Sequence, residues 1–354
     1  MTPTAPSAPG APPLGGAPVF GAAARSRRLA GLGALLALLV LCTAASVLIG
    51  GRALAPAEVW RVLLAPDGGE ADAIVWALRL PRTGLGIAVG AALGAAGVLM
   101  QSHTRNPIAD PSLLGVAHGA ALGVVLGVFL FGMTDLTSYV WLAIAGAVLA
   151  AAAVFAVAAG GSAGPTPVTL VLAGAAMSAL LAGVISAIVL LDQASLEVYR
   201  FWRIGALGGR PVEVLWQVLP FIGAGLLLAV ANAPGLNALA LGDDVATALG
   251  QRVRRVRALG IAGIALLTGA AVAAAGPIGF LGLAAPHLAR ALAGHDHRWT
   301  VPYAALAGAC LILVADVIGR VVRGSGEVEV GIVLAVLGGP FFIALIRRGR
   351  SIAG

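Results

Sequence analysis

Val168–Leu191 reads VTLVLAGAAMSALLAGVISAIVLL, a run of apolar and small residues with no charged side chain and no proline. An α-helix of about 20 such residues crosses the roughly 30 Å hydrocarbon core of a bilayer. Lipid offers the backbone no hydrogen bonds, so only a helix or a closed barrel can cross it. A barrel strand would alternate apolar and polar residues over about 10 positions. Here Leu, Val, Ala, Gly and Ile follow one another without alternation, and the stretch predicts a membrane-spanning helix.

Outward from this stretch the same composition continues. The chain has 354 residues, 60% hydrophobic and only 10% charged, with a mean hydropathy of +1.00. Soluble domains carry about 25% charged residues; charge this scarce cannot cover a surface in water. Further apolar stretches lie at about 29–49, 74–101, 113–132, 138–160, 212–232, 258–275, 278–289, 301–321 and 330–346. With 168–191 they make ten segments. They predict an all-α, polytopic membrane protein of about ten transmembrane helices, with both termini on one side. The 278–289 stretch is short for a regular span and is expected as a half-helix or a re-entrant piece. The 50 glycines sit largely inside the apolar runs, where small residues let helix backbones approach.

Residues 1–24 are rich in Pro, Ala and Gly and carry no charge. Such a segment cannot bury a core, and 1–28 is expected as a disordered cytoplasmic tail ending in Arg25, Arg27 and Arg28. A signal peptide is the rival reading of the first apolar run; the run is long for one, and bulky Leu41 before Cys42 argues against a lipoprotein site. The membrane domain then covers 29–347, and 348–354 is a second cytoplasmic tail. With 1–28, 102–112, 161–167, 233–257, 290–300 and 347–354 inside, that side holds thirteen arginines and four acids, a net of +9. The outer side holds nine arginines and ten acids, and Asp316 lies within a span. The positive-inside rule is met, although the outer arginines are unusually many. All 22 basic residues are arginine. None gathers on a soluble face as DNA binding requires, which excludes a nucleic-acid partner. Cys42 and Cys310 both fall in apolar runs and read as core residues without a disulfide.

Five polar stretches interrupt the apolar pattern. Arg79-Leu80-Pro81-Arg82 opens the second span and places two arginines three apart on one helix face; they read as snorkelling anchors or as a docking site for a partner's carboxylates. Gln101–Gly119 contains Asn-Pro and Asp-Pro, turn formers that make a tight reversal between spans. Leu239–Arg257, LALGDDVATALGQRVRRVR, is amphipathic, with Val245, Leu249 and Val253 at i, i+4, i+8 and acids ahead of arginines as the helix dipole favours. It reads as an interfacial helix, a lipid-headgroup contact, or a short helix that fits a groove on a soluble partner. Gly276–Arg298 holds two Gly-rich breaks, Pro286-His287 and Arg290; its His295-Asp296-His297 run is a poor metal site, since three successive loop residues rarely converge on one ion. Asp316 is the acid inside a span, and Arg320 four residues on is its expected partner, a plainer account than a proton relay.

In this order and spacing these stretches resemble the FecCD-type permease family, which imports iron–siderophore complexes, heme and cobalamin and includes the vitamin B12 permease. The resemblance runs from about Val75 to Arg347. It rests on Arg79-Leu80-Pro81-Arg82, Arg105-Asn106-Pro107, Leu113–Val116, Ala240-Leu241-Gly242, Gly279–Leu283, Pro286-His287, Asp296-His297-Arg298, Ala315-Asp316 and Gly339–Phe342.

The resemblance implies a type II ABC importer permease: ten spans per subunit, two permease subunits together, two cytoplasmic ATP-binding subunits below, and an extracytoplasmic substrate-binding protein above. It implies that Arg79, Arg82 and Arg320 meet glutamates of the binding protein. Asp244, Ala246, Leu249 and Gly250 fall in the segment that couples to the ATPase, and Arg105, Asn106, Pro107, Pro286, His287 and Arg290 in cytoplasmic structural motifs. The span at 168–191 is expected to line the central passage. No cofactor is expected on this chain; ATP and Mg belong to the partner subunits, because the chain has no lysine and no P-loop. The expectation is therefore a transport subunit in the cytoplasmic membrane and not an enzyme. Where the family has Glu-Leu-Pro-Val-Gly before the last span, this chain reads Glu327-Val328-Glu329-Val330-Gly331, which adds an acid near the docking surface. Arg323 is expected to extend that surface or to neutralise Glu327 or Glu329. An ion-coupled secondary transporter would need several buried ionisable groups, and a membrane enzyme would need clustered acids and histidines near one face; neither pattern is present.

Overall fold

The computed structural model describes residues 20–160, 165–322 and 326–350. Among the described residues there are helices and turns and no strand. The chain opens with α1 (Phe20–Leu48), the short α2 (Pro56–Leu64) and α3 (Glu70–Thr104). Next come α4 (Val116–Phe131), α5 (Leu136–Gly160), α6 (Pro167–Leu191) and the short α7 (Gln193–Trp202). Then follow α8 (Val212–Leu239), α9 (Asp243–Ala248), α10 (Val253–Ala275), α11 (Leu281–Ala293), α12 (His297–Val322) and α13 (Val330–Arg350). Seven helices are long and apolar enough to cross a membrane, the one in α1 counted from Arg25. With the shorter α4, α11 and α13 they make the polytopic all-α bundle of about ten spans. The expected short piece at 278–289 is α11, preceded by an unwound segment.

α3 is the axis of the bundle and packs against α8, α10, α11 and α12. Its middle is dry: Val89, Ala92, Ala95, Ala96 and Leu99 are wholly buried. Glycine makes this packing possible. A Cβ on Gly94 would lie 2.1 Å from the Ala304 carbonyl oxygen, and one on Gly97 would lie 2.0 Å from that of Gly282. In lipid, where water no longer drives helices together, such close backbone approach supplies the cohesion. α6 is the opposite case, with only Leu170, Gly174 and Ile185 buried. Its remaining apolar surface, Val168, Leu172, Leu180 and Leu190 among it, is not covered by the rest of the described chain.

Two prolines shape the functional ends. Pro81 has no N–H and cannot complete a regular α-turn; the preceding residues Ala73–Arg79 widen into a π-turn, a device common at functional positions. Pro286 inside α11 likewise leaves the Gly282 carbonyl, four residues back, without its helical donor. Gln101 Nε2 donates to that oxygen instead, at 3.3 Å, joining the Gln101–Gly119 stretch to the Pro286-His287 stretch.

The structure departs from the sequence reading in three places. α1 begins at Phe20, ahead of the expected Leu29, so the helix already contains Arg25, Arg27 and Arg28; 1–19 and 351–354 of the two expected tails lie outside the described residues. α2 and α7 were not foreseen. Pro at the first turn of α2 and the Asp192 side chain, which accepts from Ser195 N–H at the start of α7, explain where they begin. Finally, Leu239–Arg257 is not one helix. Gly250 has φ +80° and breaks it. Only Asp243–Ala248 forms α9, and Arg254, Arg255 and Arg257 stand in the first turns of α10, where the helix dipole opposes them.

Candidate functional site

The two ends of the bundle carry two ionic clusters of similar design, each built on one aspartate between two arginines. At the first end, Asp316 on α12 is 1% exposed. Arg82 on α3 forks onto it, with Nε 3.0 and 3.1 Å from its two oxygens and Nη2 at 2.8 Å. Arg320 Nε reaches it at 2.9 Å from one turn along α12, and its Nη2 donates to the same oxygen. A charge this deep is tolerated only when fully paired and hydrogen-bonded. Arg320 completes its set on the Ser46 and Ile49 carbonyls at 2.7 and 3.0 Å and on Ser46 Oγ at 3.0 Å.

Arg79 is 4% exposed and makes no ion pair. It donates to the Val47 and Leu48 carbonyls at 2.8 and 2.9 Å and to that of Arg52 at 2.5 Å. These are orphan carbonyls at and beyond the end of α1, so Arg79 caps that helix from α3. The outermost contact belongs to Arg82, whose Nη1 meets Glu327 at 2.5 Å, with the glutamate side chain 38% exposed. Above the cluster lies an open cavity of about 650 Å³, lined by Arg79, Arg82, Arg320, Glu327 and Glu329 among others. Burial pushes the Glu329 carboxyl up; Arg82 opposes the shift and Glu327 adds to it. Arg323 lies outside the described residues.

The three arginines read as a docking set are thus together in space, but each is engaged within the chain. The sequence pairing of Asp316 with Arg320 appears as a turn of α12; the roles of Arg82, Glu327, Ser46 and the α1 carbonyls were missed. Glu327 had a signal, as an acid inside the motif that departs from the family pattern. The others lie too far away in sequence to be paired by spacing.

At the second end Asp243, the first residue of α9, bridges Arg105 and Arg257 at 2.5 and 2.7 Å. Arg105 has φ +48° and ends α3; it also donates to the Leu239 carbonyl at 3.1 Å. Asn106 turns the chain, its Oδ1 accepting from Ile108 N–H at 3.0 Å, and Pro107 follows. α9 therefore sits on the ends of α3 and α10 through Asp243. Ala246 is buried against the chain, while Asp244 and the apolar Leu241, Val245 and Leu249 are exposed. Val245 on this short helix, with Leu241 just before it and Leu249 at its C-terminal end, gives three exposed large apolar side chains at a bundle end, which suit a groove on a soluble partner. Gly250 supplies the turn that lets α10 depart.

Nearby, His297 is held by Asn237 Oδ1 and Ser102 Oγ, each at 2.6 Å. Asn237 also donates to Asp296 at 2.7 Å. His287 lies edge-on to Phe341, with ring centroids 6.1 Å apart. Among the described residues no group of three His, Cys, Asp or Glu gathers as a metal site.

Comparison with known proteins adds the following. A family model described as the FecCD transport family matches residues 38–348. The ferric enterobactin transport system permease protein of Escherichia coli is 45% identical over 330 residues, 93% of this chain and 98% of that protein. The hemin transport system permease protein of Yersinia pestis is 37% identical, over 90% of this chain and 96% of its own length. Among solved structures, a metal-chelate type ABC transporter in an inward-facing conformation superposes with a TM-score of 0.79 at 29% identity, covering 90% of this chain and 98% of that one.

Proposed function

The chain belongs to the FecCD transport family, as a permease of a metal-chelate type ABC importer, and on that premise we propose that its cargo is an iron–siderophore complex. The observation that carries this choice is the 45% identity, end to end, with a ferric enterobactin permease; a hemin permease is more distant at 37%. Heme and cobalamin are the alternative cargoes.

In the mechanism we propose, the chain works in the cytoplasmic membrane with both termini inside. It pairs with a second permease subunit, the same chain or a relative. Two separate ATPase subunits bind ATP and Mg and receive α9, with Asp244, Leu249 and the Gly250 turn at the contact and Ala246 seating the helix. Arg105 and Arg257 hold α9 through Asp243, so motion of α9 passes directly to the ends of α3 and α10. A loaded binding protein docks at the other end. Its glutamates exchange for the exposed Glu327 on Arg82, while Asp316 keeps Arg82 and Arg320 oriented and Arg79 anchors α1 beneath them. Bidentate arginine pairing suits such exchange, because it fixes orientation as well as affinity. ATP binding and release then alternate access between the two sides. Hydrolysis occurs on the partner subunits and this chain is no enzyme.

Uptake of radiolabelled ferric enterobactin by cells lacking their own permease tests the reading. The chain should restore uptake, and an ATPase partner unable to hydrolyse ATP should abolish it. Restored uptake of heme or cobalamin with none of ferric enterobactin would replace the cargo and leave the importer standing.

A further inference from the structure

One partly buried guanidinium at the Arg105 end of the bundle has neither a counter-charge nor a carbonyl to bond among the described residues. The side chain of Arg290 on α11 makes no hydrogen bond and no ion pair within the described residues, and its Nη2 is buried without a partner. A guanidinium that is half-buried, with one nitrogen shut off from water and unpaired, gains from an anionic partner. Arg290 lines a cavity of about 350 Å³ at the Arg105 end of the bundle, together with Ser102, Arg105, Asn106, His295 and His297. No aspartate or glutamate lines that cavity. The nearby carboxylates are engaged elsewhere: Asp243 with Arg105 and Arg257, and Asp296 with Asn237 and, at 3.8 Å, Arg28. The segments outside the description contain no acid in their sequence.

We propose that this cavity is a binding site for a phosphate-bearing anion, anchored by Arg290 with Arg105 and His295 at its rim. A guanidinium offers a planar fork matched to phosphate oxygens, and the Ser102 and Asn106 side chains add neutral polar groups. The place fits as well. The cavity reaches from Arg105, just past the end of α3, to Val98 one to two turns inside, the depth at which headgroup phosphates meet helix ends. Basic pockets between transmembrane helices hold such headgroups. The phosphate has two possible sources, an anionic phospholipid and free phosphate.

The test is thermal unfolding of the purified full-length chain in neutral detergent, titrated at fixed ionic strength with short-chain phosphatidylglycerol, short-chain phosphatidylcholine or inorganic phosphate. A ligand that binds only the folded state raises Tm saturably. Phosphatidylglycerol raising Tm more than phosphatidylcholine assigns a lipid source; inorganic phosphate doing so assigns free phosphate. In either case Arg290→Gln should shift half-saturation at least about tenfold, while Arg27→Gln, an exposed arginine away from the cavity, should leave it unchanged. Should Arg290→Gln not purify folded, Arg290→Lys and His295→Gln are read instead, each shifting half-saturation several-fold. No saturable rise with phosphatidylglycerol or inorganic phosphate beyond that with phosphatidylcholine, or variants that titrate as the parent does, would overturn the proposal.

Discussion

The guanidinium of Arg82 on α3 grips the carboxylate of Asp316 on α12, with nitrogens 2.8 to 3.1 Å from its two oxygens. The same carboxylate holds Arg320, so one acid keeps two arginines oriented beneath the open cavity. Asp316→Asn should leave those cations without their shared counter-charge. The expected cost is about 3–5 kcal/mol, the range for breaking a buried pair. Glu327→Gln, at a side chain 38% exposed, should cost no more than about 1 kcal/mol. Thermal unfolding of the two purified variants checks the contrast, and equal losses would mean that Asp316 is not the pivot.

Asp243 has the matching position at the other end. Its replacement by Asn weakens the pairs with Arg105 and Arg257 that hold α9 to the bundle. Transport by the assembled importer should fall at least about tenfold, with each 1.4 kcal/mol of lost coupling worth that factor. ATP hydrolysis by the complex should persist. The ratio of cargo moved to ATP consumed is the readout; an unchanged ratio would remove Asp243 from the coupling path.

Close helix packing makes a steric prediction. In Gly97→Ala the new Cβ would meet the Gly282 carbonyl at 2.0 Å, whereas one on Gly223 of α8 would meet nothing within 4 Å. Overpacking of this kind costs about 1–3 kcal/mol. Gly97→Ala should therefore lower Tm and the yield of folded protein, and Gly223→Ala should not.

Glu329 gives a pH dependence. Burial raises its carboxyl in the folded protein, although Arg82 opposes the shift. A folded state that favours the protonated acid loses stability as pH rises through the raised value and keeps it below the ordinary 4.5. Glu329→Gln should thus raise Tm relative to the parent at neutral and alkaline pH, with the gain fading as pH falls toward that value. Tm measured across pH for both proteins tests the sign, and a gain confined to acid pH would reverse it.

Much of the fold was legible because lipid imposes a simple rule: long runs without charge must be helices. Val168–Leu191 is α6 almost residue for residue. The short α2 and α7 escaped because an apolar-run search passes over amphipathic helices lying outside the spans. Gly250 carried a readable break signal, but the amphipathic pattern around it outweighed the glycine. Asp316 with Arg320 was legible because both lie on one helix, four residues apart. Arg82 is separated from Asp316 by 234 positions, Glu327 from Arg82 by 245, and Asp243 from Arg105 by 138. Only the packing of α3 against α12 and the turn into α9 bring them together, and spacing along the chain does not encode that.

The most direct test reconstitutes this chain with its ATPase in proteoliposomes and follows radiolabelled ferric enterobactin presented on its binding protein. Accumulation that requires both ATP and the binding protein, and stops with an ATPase unable to hydrolyse, is the predicted result. Accumulation driven by a sodium or proton gradient without ATP would contradict the account.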